Sequence, residues 1–401
     1  MTVAPVSLGG RVSTGAMERI KSDLFALGWS PGDLTATETA ILSSGTRLFT
    51  RQDARLYVPP IGHAVLVFSS IADCNAVESF DVHAYLADRR TRHRQLVDAP
   101  HRCNGEVYLD VTNCIHQAAA RELPRHRRRP DLGVHHITYA MTVQFIQSDA
   151  RTPQELGQDD RKVLSLLLRP SSARMEDSPY ALAPDQHNAQ TQAATQQYEH
   201  DFLAEYPDLD CGIGTMVFAS WAAVVVVGRI DDEITDLIRA LEVRLQSSWA
   251  TADYIVQVSA SALDQLESGA MTTRQLEWMA VELRHVGNLV EEKPDAMASD
   301  RVAAIADGLS DTSGHNVKWQ SAHRAMDHLQ QVASLVRSDR SRATGLALEA
   351  FLLVFALAQL APIVLDLPIN SMDKLGNQTS AVTALVLTLA LLVILAIRRS
   401  R

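Results

Sequence analysis

Apolar residues change their spacing three times along the chain, and each change marks a different kind of element. Residues 63–68, 80–86, 106–111 and 136–146 are short runs rich in β-branched and apolar side chains, and their length and residue types predict strands. Residues 212–230, GIGTMVFASWAAVVVVGRI, are apolar almost throughout. The β-branched run Val224 to Val227, the glycines Gly212, Gly214 and Gly228, and the acids that follow predict two buried strands here rather than a membrane span. From Asp231 the period becomes helical: Ile234, Leu237, Ile238, Leu241 and Leu245 form one stripe, preceded by Asp231, Asp232 and Glu233, whose carboxylates suit the free N–H groups of a helix start. A second helix is expected over 272–290 and a third just after Gly314. In the third, Trp319, Ala322, Met326, Leu329, Ala333 and Val336 step alternately by three and four, a coiled-coil-like seam. Earlier in the chain a short helix is expected over 16–27, with turn signals at Ser30, Pro31 and Gly32 and at Pro59 and Pro60.

The third change comes at the end. Residues 345–365, GLALEAFLLVFALAQLAPIVL, and 381–397, AVTALVLTLALLVILAI, have no polar face beyond a few isolated residues. A bilayer core of ~30 Å needs about 20 apolar residues in a helix, and about 17 is enough, so both are expected to span a membrane. Arg337, Arg340 and Arg342 precede the first stretch and Arg398, Arg399 and Arg401 follow the second, while the connection carries Lys374 against Asp366 and Asp373. The positive-inside bias then keeps both ends in the cytoplasm. The start, MTVAPVSLGG, has no basic-then-apolar segment of signal-peptide type. The expected fold class is an α+β cytoplasmic domain, then long helices, then a C-terminal two-helix transmembrane hairpin. Its parts are a domain over 1–230 with a mobile excursion at about 171–200, a helical region over 231–342, and the hairpin over 343–401. The expected location is the inner membrane.

Charge and composition narrow the function classes. With 37 basic and 47 acidic residues the formal net charge is -10, which argues against a nucleic-acid partner. Basic stretches at Arg89, Arg90, Arg92 and Arg94 and from Arg121 to Arg129 read as solvated loops, because no aromatic residues interleave the arginines for base stacking. Cys74, Cys103, Cys114 and Cys211 imply no disulfide framework. His101, Cys103, Cys114 and His116 have zinc-ligand chemistry and flank a predicted strand, but their spacing departs from structural zinc motifs, and they read as ordinary strand residues. No phosphate loop, nucleophile elbow or zinc-protease motif is present, so neither an enzyme nor a cofactor is called for.

Within 345–370, Glu349, Leu352, Ala356, Gln359, Ile363, Asp366 and Asn370 step by three and four. They place every strongly polar residue of that stretch on one stripe, which is the candidate pore lining. The alternative has Glu349 snorkelling, Gln359 bonding a neighbouring helix, and Asp366 and Asn370 among headgroups.

This layout, with Pro368, Ile369 and Asn370 followed by Ser371, Met372, Asp373, Lys374 and Leu375, resembles the CorA-type magnesium transporter superfamily, in which a Gly-Met-Asn signature follows the first span. Of that signature Asn370 is retained. The resemblance implies a homo-oligomer, five subunits, with the first spans around a pore, the lipid bilayer as partner, and a divalent cation such as magnesium. The expected function is an oligomeric, cation-conducting channel gated by its cytoplasmic domain. The alternative is a membrane-anchored sensor or pore-forming effector of a stress or defence system without selective transport.

Overall fold

The computed structural model describes residues 1–6, 14–52, 54–61, 63–69, 141–168, 202, 206–210, 214–221, 223–291 and 299–365. They fall into two compact units, one of residues 1–261 with 282–326 and one of residues 262–281 with those from 327 on.

The first unit is built on a sheet. Its described strands are β1 (Thr2–Val6), β2 (Ser30–Gly32), β3 (Arg47–Arg51), β4 (Ala54–Val58), β5 (Ala64–Phe68), β6 (Met141–Gln147), β7 (Thr215–Ala219) and β8 (Ala223–Gly228), in the order β2-β3-β4-β5-β1-β6-β8-β7. All neighbours are antiparallel except β6 and β8, which run parallel with Val143 beside Val224. The expected strand pair at 212–230 is therefore present as the β7–β8 hairpin. The expected strands at 80–86 and 106–111, the excursion at 171–200, and His101, Cys103, Cys114 and His116 lie outside the described residues.

Helices cover both faces of the sheet. The described helices of the whole chain are α1 (Thr14–Ala26), α2 (Ala36–Ile41), α3 (Gln158–Leu168), α4 (Asp232–Glu267), α5 (Thr273–Glu291), α6 (Asp300–Thr312) and α7 (His315–Leu365). On one face, Val3, Val65, Val143, Val224 and Val226 pack against Ile234, Ile238 and Leu241 of α4 and Ile305 and Leu309 of α6. On the other, Ala4, Leu56 and Leu66 pack against Ile20 and Leu24 of α1, while Val225, Val227 and Phe218 meet Leu164 and Leu167 of α3. A strand covered on both faces gains nothing from polar alternation, which is why β8 is an unbroken valine run. The carboxylate of Asp231 accepts the Ile234 N–H (2.9 Å), so α4 starts where the acidic triplet places it. Residues 208 and 209 cover the outer edge of β7: the Val217 N–H donates to Asp208 Oδ1 (2.9 Å) and the Leu209 N–H to the Val217 carbonyl (2.8 Å).

In the second unit, Gly269 at φ +74° turns the chain after α4, and the Met271 N–H donates to the Gln265 carbonyl. Leu276 of α5 and Leu329 and Ala333 of α7 are buried, and so, in the first unit, are Trp319, Ala322 and Met326.

The transmembrane hairpin is corrected, and with it the multi-pass inner-membrane location. Among the described residues no helix is long and apolar enough to cross a membrane. α7 is long, at 51 residues, but spanning requires about 20 successive apolar positions. Glu349 and Gln359 interrupt its apolar run over 345–365. The second expected span, 381–397, lies outside the described residues.

Candidate functional site

The site grows from the short helix α2. Thr35 and Glu38 form a capping box: the Glu38 N–H donates to Thr35 Oγ1 (3.2 Å) and the Thr35 N–H to Glu38 Oε2 (3.0 Å). This turns the fully buried Glu38 carboxylate inward, where Oε1 accepts the Tyr57 hydroxyl of β4 (2.7 Å) and Arg239 Nε of α4 (2.9 Å), with Arg55 Nη1 at 3.6 Å. Arg239 also pairs with Asp236, one turn earlier on α4. Burial pushes the Glu38 carboxyl upward. The Tyr57 hydroxyl, the Thr35 amide and Arg239 outweigh it and hold the group below its ordinary 4.5. Burial, with the Glu38 carboxylate beside it, pushes the Tyr57 hydroxyl up to about 12. The hub thus ties α2, β4 and α4 together.

Tyr57 also lines a small cleft. Leu42, Ser43 and Thr46 of the α2–β3 loop form one wall, and Pro59, Ile61 and His63 of the β4–β5 connection a second. Val243, Arg244 and Ser247 of α4, with Val290 of α5, complete it. His63 is anchored through its main chain, donating its N–H to Ser247 Oγ (3.2 Å), while the Ser247 hydroxyl lies 2.6 Å from the His63 carbonyl. Its Nδ1 is 3.1 Å from Thr251 Oγ1. The Thr251 hydroxyl donates to the Ser247 carbonyl (2.8 Å), so the neutral imidazole carries its proton on Nδ1 and donates to Thr251. Arg244 reaches the Ile41 carbonyl at the end of α2, with Nη1 at 3.5 Å.

Ser247 bonds the main chain of His63, and the imidazole bonds Thr251, so the hydroxyl and the ring are not set as nucleophile and base. Among the described residues no group of three or more His, Cys, Asp or Glu could hold a metal ion.

Two further groups, one buried and one half-buried, flank the cleft's helix. Glu242 of α4 is pushed up to about 7 by burial, against one weakening contact, the Gln246 amide at 3.4 Å. Oε1 of Glu242 and Oε1 of Gln246 have no hydrogen-bond partner among the described residues. His315 of α7 has Nε2 2.9 Å from Ser248 Oγ and Nδ1 3.1 Å from Ser310 Oγ. Burial, with the positive charge of Arg244, pushes it down to about 4.

Of the residues expected to line a pore, none is among those that line the cleft. Glu349 and Leu352 are exposed on α7, and Ala356, Gln359 and Ile363 continue that helix. Asp366 and Asn370 lie outside the described residues. Sequence reasoning missed Glu38, Tyr57, His63, Arg239 and Arg244. The Thr35-x-x-Glu38 capping box and the charged residues within the apolar stripe of α4 were the available signals.

Compared with protein-family models, with curated proteins and with solved structures, the chain matches none.

Proposed function

We propose that the chain is a sensor or relay protein whose α/β domain binds a small molecule in the Tyr57–Arg244 cleft. One observation carries this reading. The cleft is lined at once by the sheet, the α2–β3 loop and the helices α4 and α5, so an occupant touches both the domain core and the helices packed on it. Binding that orders such a junction shifts the population of the helices. A channel needs spanning helices around a pore, and among the described residues there is none to build one. The sensor class therefore fits the geometry better.

The test is a ligand-observed NMR screen of the full chain against mixed carboxylates, phosphates, nucleosides and sugars, repeated on Thr46→Trp, which fills the cleft mouth. Hits that vanish in Thr46→Trp, with raised amide protection in α4 and α5 on binding, are expected. A screen with no cleft-dependent hit overturns the reading.

A second copy of the chain is the proposed partner. Leu348, Phe351 and Leu352 stand at i, i+3 and i+4 on α7, each more than half exposed, and share one face. Exposed Arg342 and Glu349 carry opposite charges a heptad apart along the same helix. An antiparallel second α7 would cover the apolar face and set each of these charges near its opposite.

A further inference from the structure

We infer that the start of α7 is held by an acid-sensitive latch, in which protonation of His315 releases Trp319 and lets the first turns of α7 part from α4 and α6. Gly314, at φ +69°, turns the chain from α6 into α7, and His315 is the first residue of the new helix. The ring sits in a series of hydrogen bonds that reaches all three helices. Asn316 Nδ2 donates to the Asp311 carboxylate of α6, so Oδ1 is the atom that faces Ser310, and the Ser310 hydroxyl donates to it (3.2 Å). Ser310 Oγ, 3.1 Å from His315 Nδ1, is then left to accept, which puts the imidazole proton on Nδ1. Nε2 is a bare acceptor. The Trp319 indole N–H donates to it at 2.9 Å, and Ser248 Oγ of α4 stands 2.9 Å from Nε2 and 2.9 Å from the indole nitrogen.

A second proton on the ring has only Nε2 to go to. There it confronts the indole N–H, donor against donor, with the two nitrogens 2.9 Å apart, and the Ser248 hydroxyl must turn its own proton away. Trp319 is buried, so a displaced indole N–H finds no water unless the helix moves. The charges around the ring add to the conflict. Burial opposes a cation first and the guanidinium of Arg244 on α4 second, together outweighing the contact with Asn316. The Asp311 carboxylate of α6 is engaged by Asn316, that of Asp253 on α4 by Lys318 of α7, and that of Glu291 on α5 by His323 of α7 at 3.1 Å. Protonation is thus disfavoured while the latch is closed and allowed once it opens, so falling pH draws the open state.

The test compares the full chain with His315→Gln, whose amide keeps one acceptor and one donor and takes up no proton in this range. Both proteins carry His323→Gln, because the His323 ring lies 5.6 Å from the Trp319 indole. Hydrogen exchange of the Trp319 indole N–H is followed by NMR at pH 7 and pH 3.5, with helical circular dichroism recorded beside it. Expected are equal exchange rates at pH 7 and, at pH 3.5, exchange at least about tenfold faster with His315 than with Gln, at unchanged helical signal. Equal rates at pH 3.5 overturn the inference, as does loss of helical signal in both proteins with the indole exposed alike. If His315→Gln does not fold, the titration of the His315 ring itself decides: the indole resonance must shift with the same midpoint, and separate midpoints overturn the latch.

Discussion

Glu242 and His315 titrate in opposite senses over nearly the same pH range. The folded-state pKa of Glu242 is raised from 4.5 to about 7, so between these values the folded chain holds a proton that the unfolded chain has lost, and stability falls as pH rises. His315 is lowered from 6.5 to about 4, so over that range the unfolded chain holds the extra proton, and stability rises with pH. Between about 4.5 and 6.5 the two slopes offset each other. Glu242→Gln, which keeps shape and removes the charge, should expose the rising slope of His315 and raise stability at pH 8 by on the order of 3 kcal/mol. Urea unfolding of both proteins at intervals from pH 4 to 8 checks it, and a variant no more stable than wild type at pH 8 refutes the buried ionisation. Glu38 behaves in the ordinary carboxylate sense: its lowered pKa gives stability that is present above 4.5 and lost as pH falls through the folded value. Glu38→Ala would leave Arg239 buried beside Asp236 alone, at a cost of roughly 3–5 kcal/mol in urea midpoint analysis. A loss under about 1 kcal/mol would mean that the hub is solvated.

At the scale of elements, the β7–β8 hairpin is constrained by a close backbone approach at its open end. Gly228 has φ +125°, and a Cβ there would lie 2.3 Å from the Gly214 carbonyl oxygen, which is backbone and cannot swing aside. Gly228→Ala should cost roughly 1–3 kcal/mol or more, read as a lower urea midpoint, because strain and close approach add. The same end of the sheet is clamped to α6 by Arg301, whose Nε and Nη2 reach Asp210 at 2.5 and 2.6 Å. The Arg301 side chain is half exposed, so the pair is screened and its loss mild in global terms. The larger effect of Asp210→Ala is local: faster hydrogen exchange at Leu209 and Val217, whose amides depend on the segment next to the clamp. Unchanged exchange there would show that the Asp208 contacts hold the edge by themselves.

At the scale of the molecule, the exposed face of Leu348, Phe351 and Leu352 predicts self-association. Light scattering should give a mass above 44.0 kDa that falls toward the monomer on dilution, and Leu348→Glu should shift the balance to monomer without altering the unfolding midpoint of a dilute sample. A monomer at every concentration would remove the second copy as partner.

Local pattern by itself determined the elements whose residues serve one purpose throughout. The valine run of β8, the stripe of α4 after its acidic triplet, α5, and the seam from Trp319 to Ala333 on α7 all stand where the apolar spacing puts them. Within the first sixty residues the helix expected over 16–27 is present as α1, but the strands were opaque for equally local reasons. Pro5 sits inside β1 and Pro31 inside β2, which speaks against strands. The β3–β4 turn uses Gln52 at φ +50°, where a glycine or asparagine would have signalled a hairpin. The site was decided by tertiary structure alone. Glu38 and Arg239 are 201 positions apart, and His63 and Ser247 are 184 apart. Nothing in their own neighbourhoods marks them as partners, because a buried charge is tolerated only where the folded chain brings its counter-charge and donors within reach. The end of the chain shows the converse: apolar spacing alone predicted spans, whereas among the described residues no helix is long and apolar enough to cross a membrane.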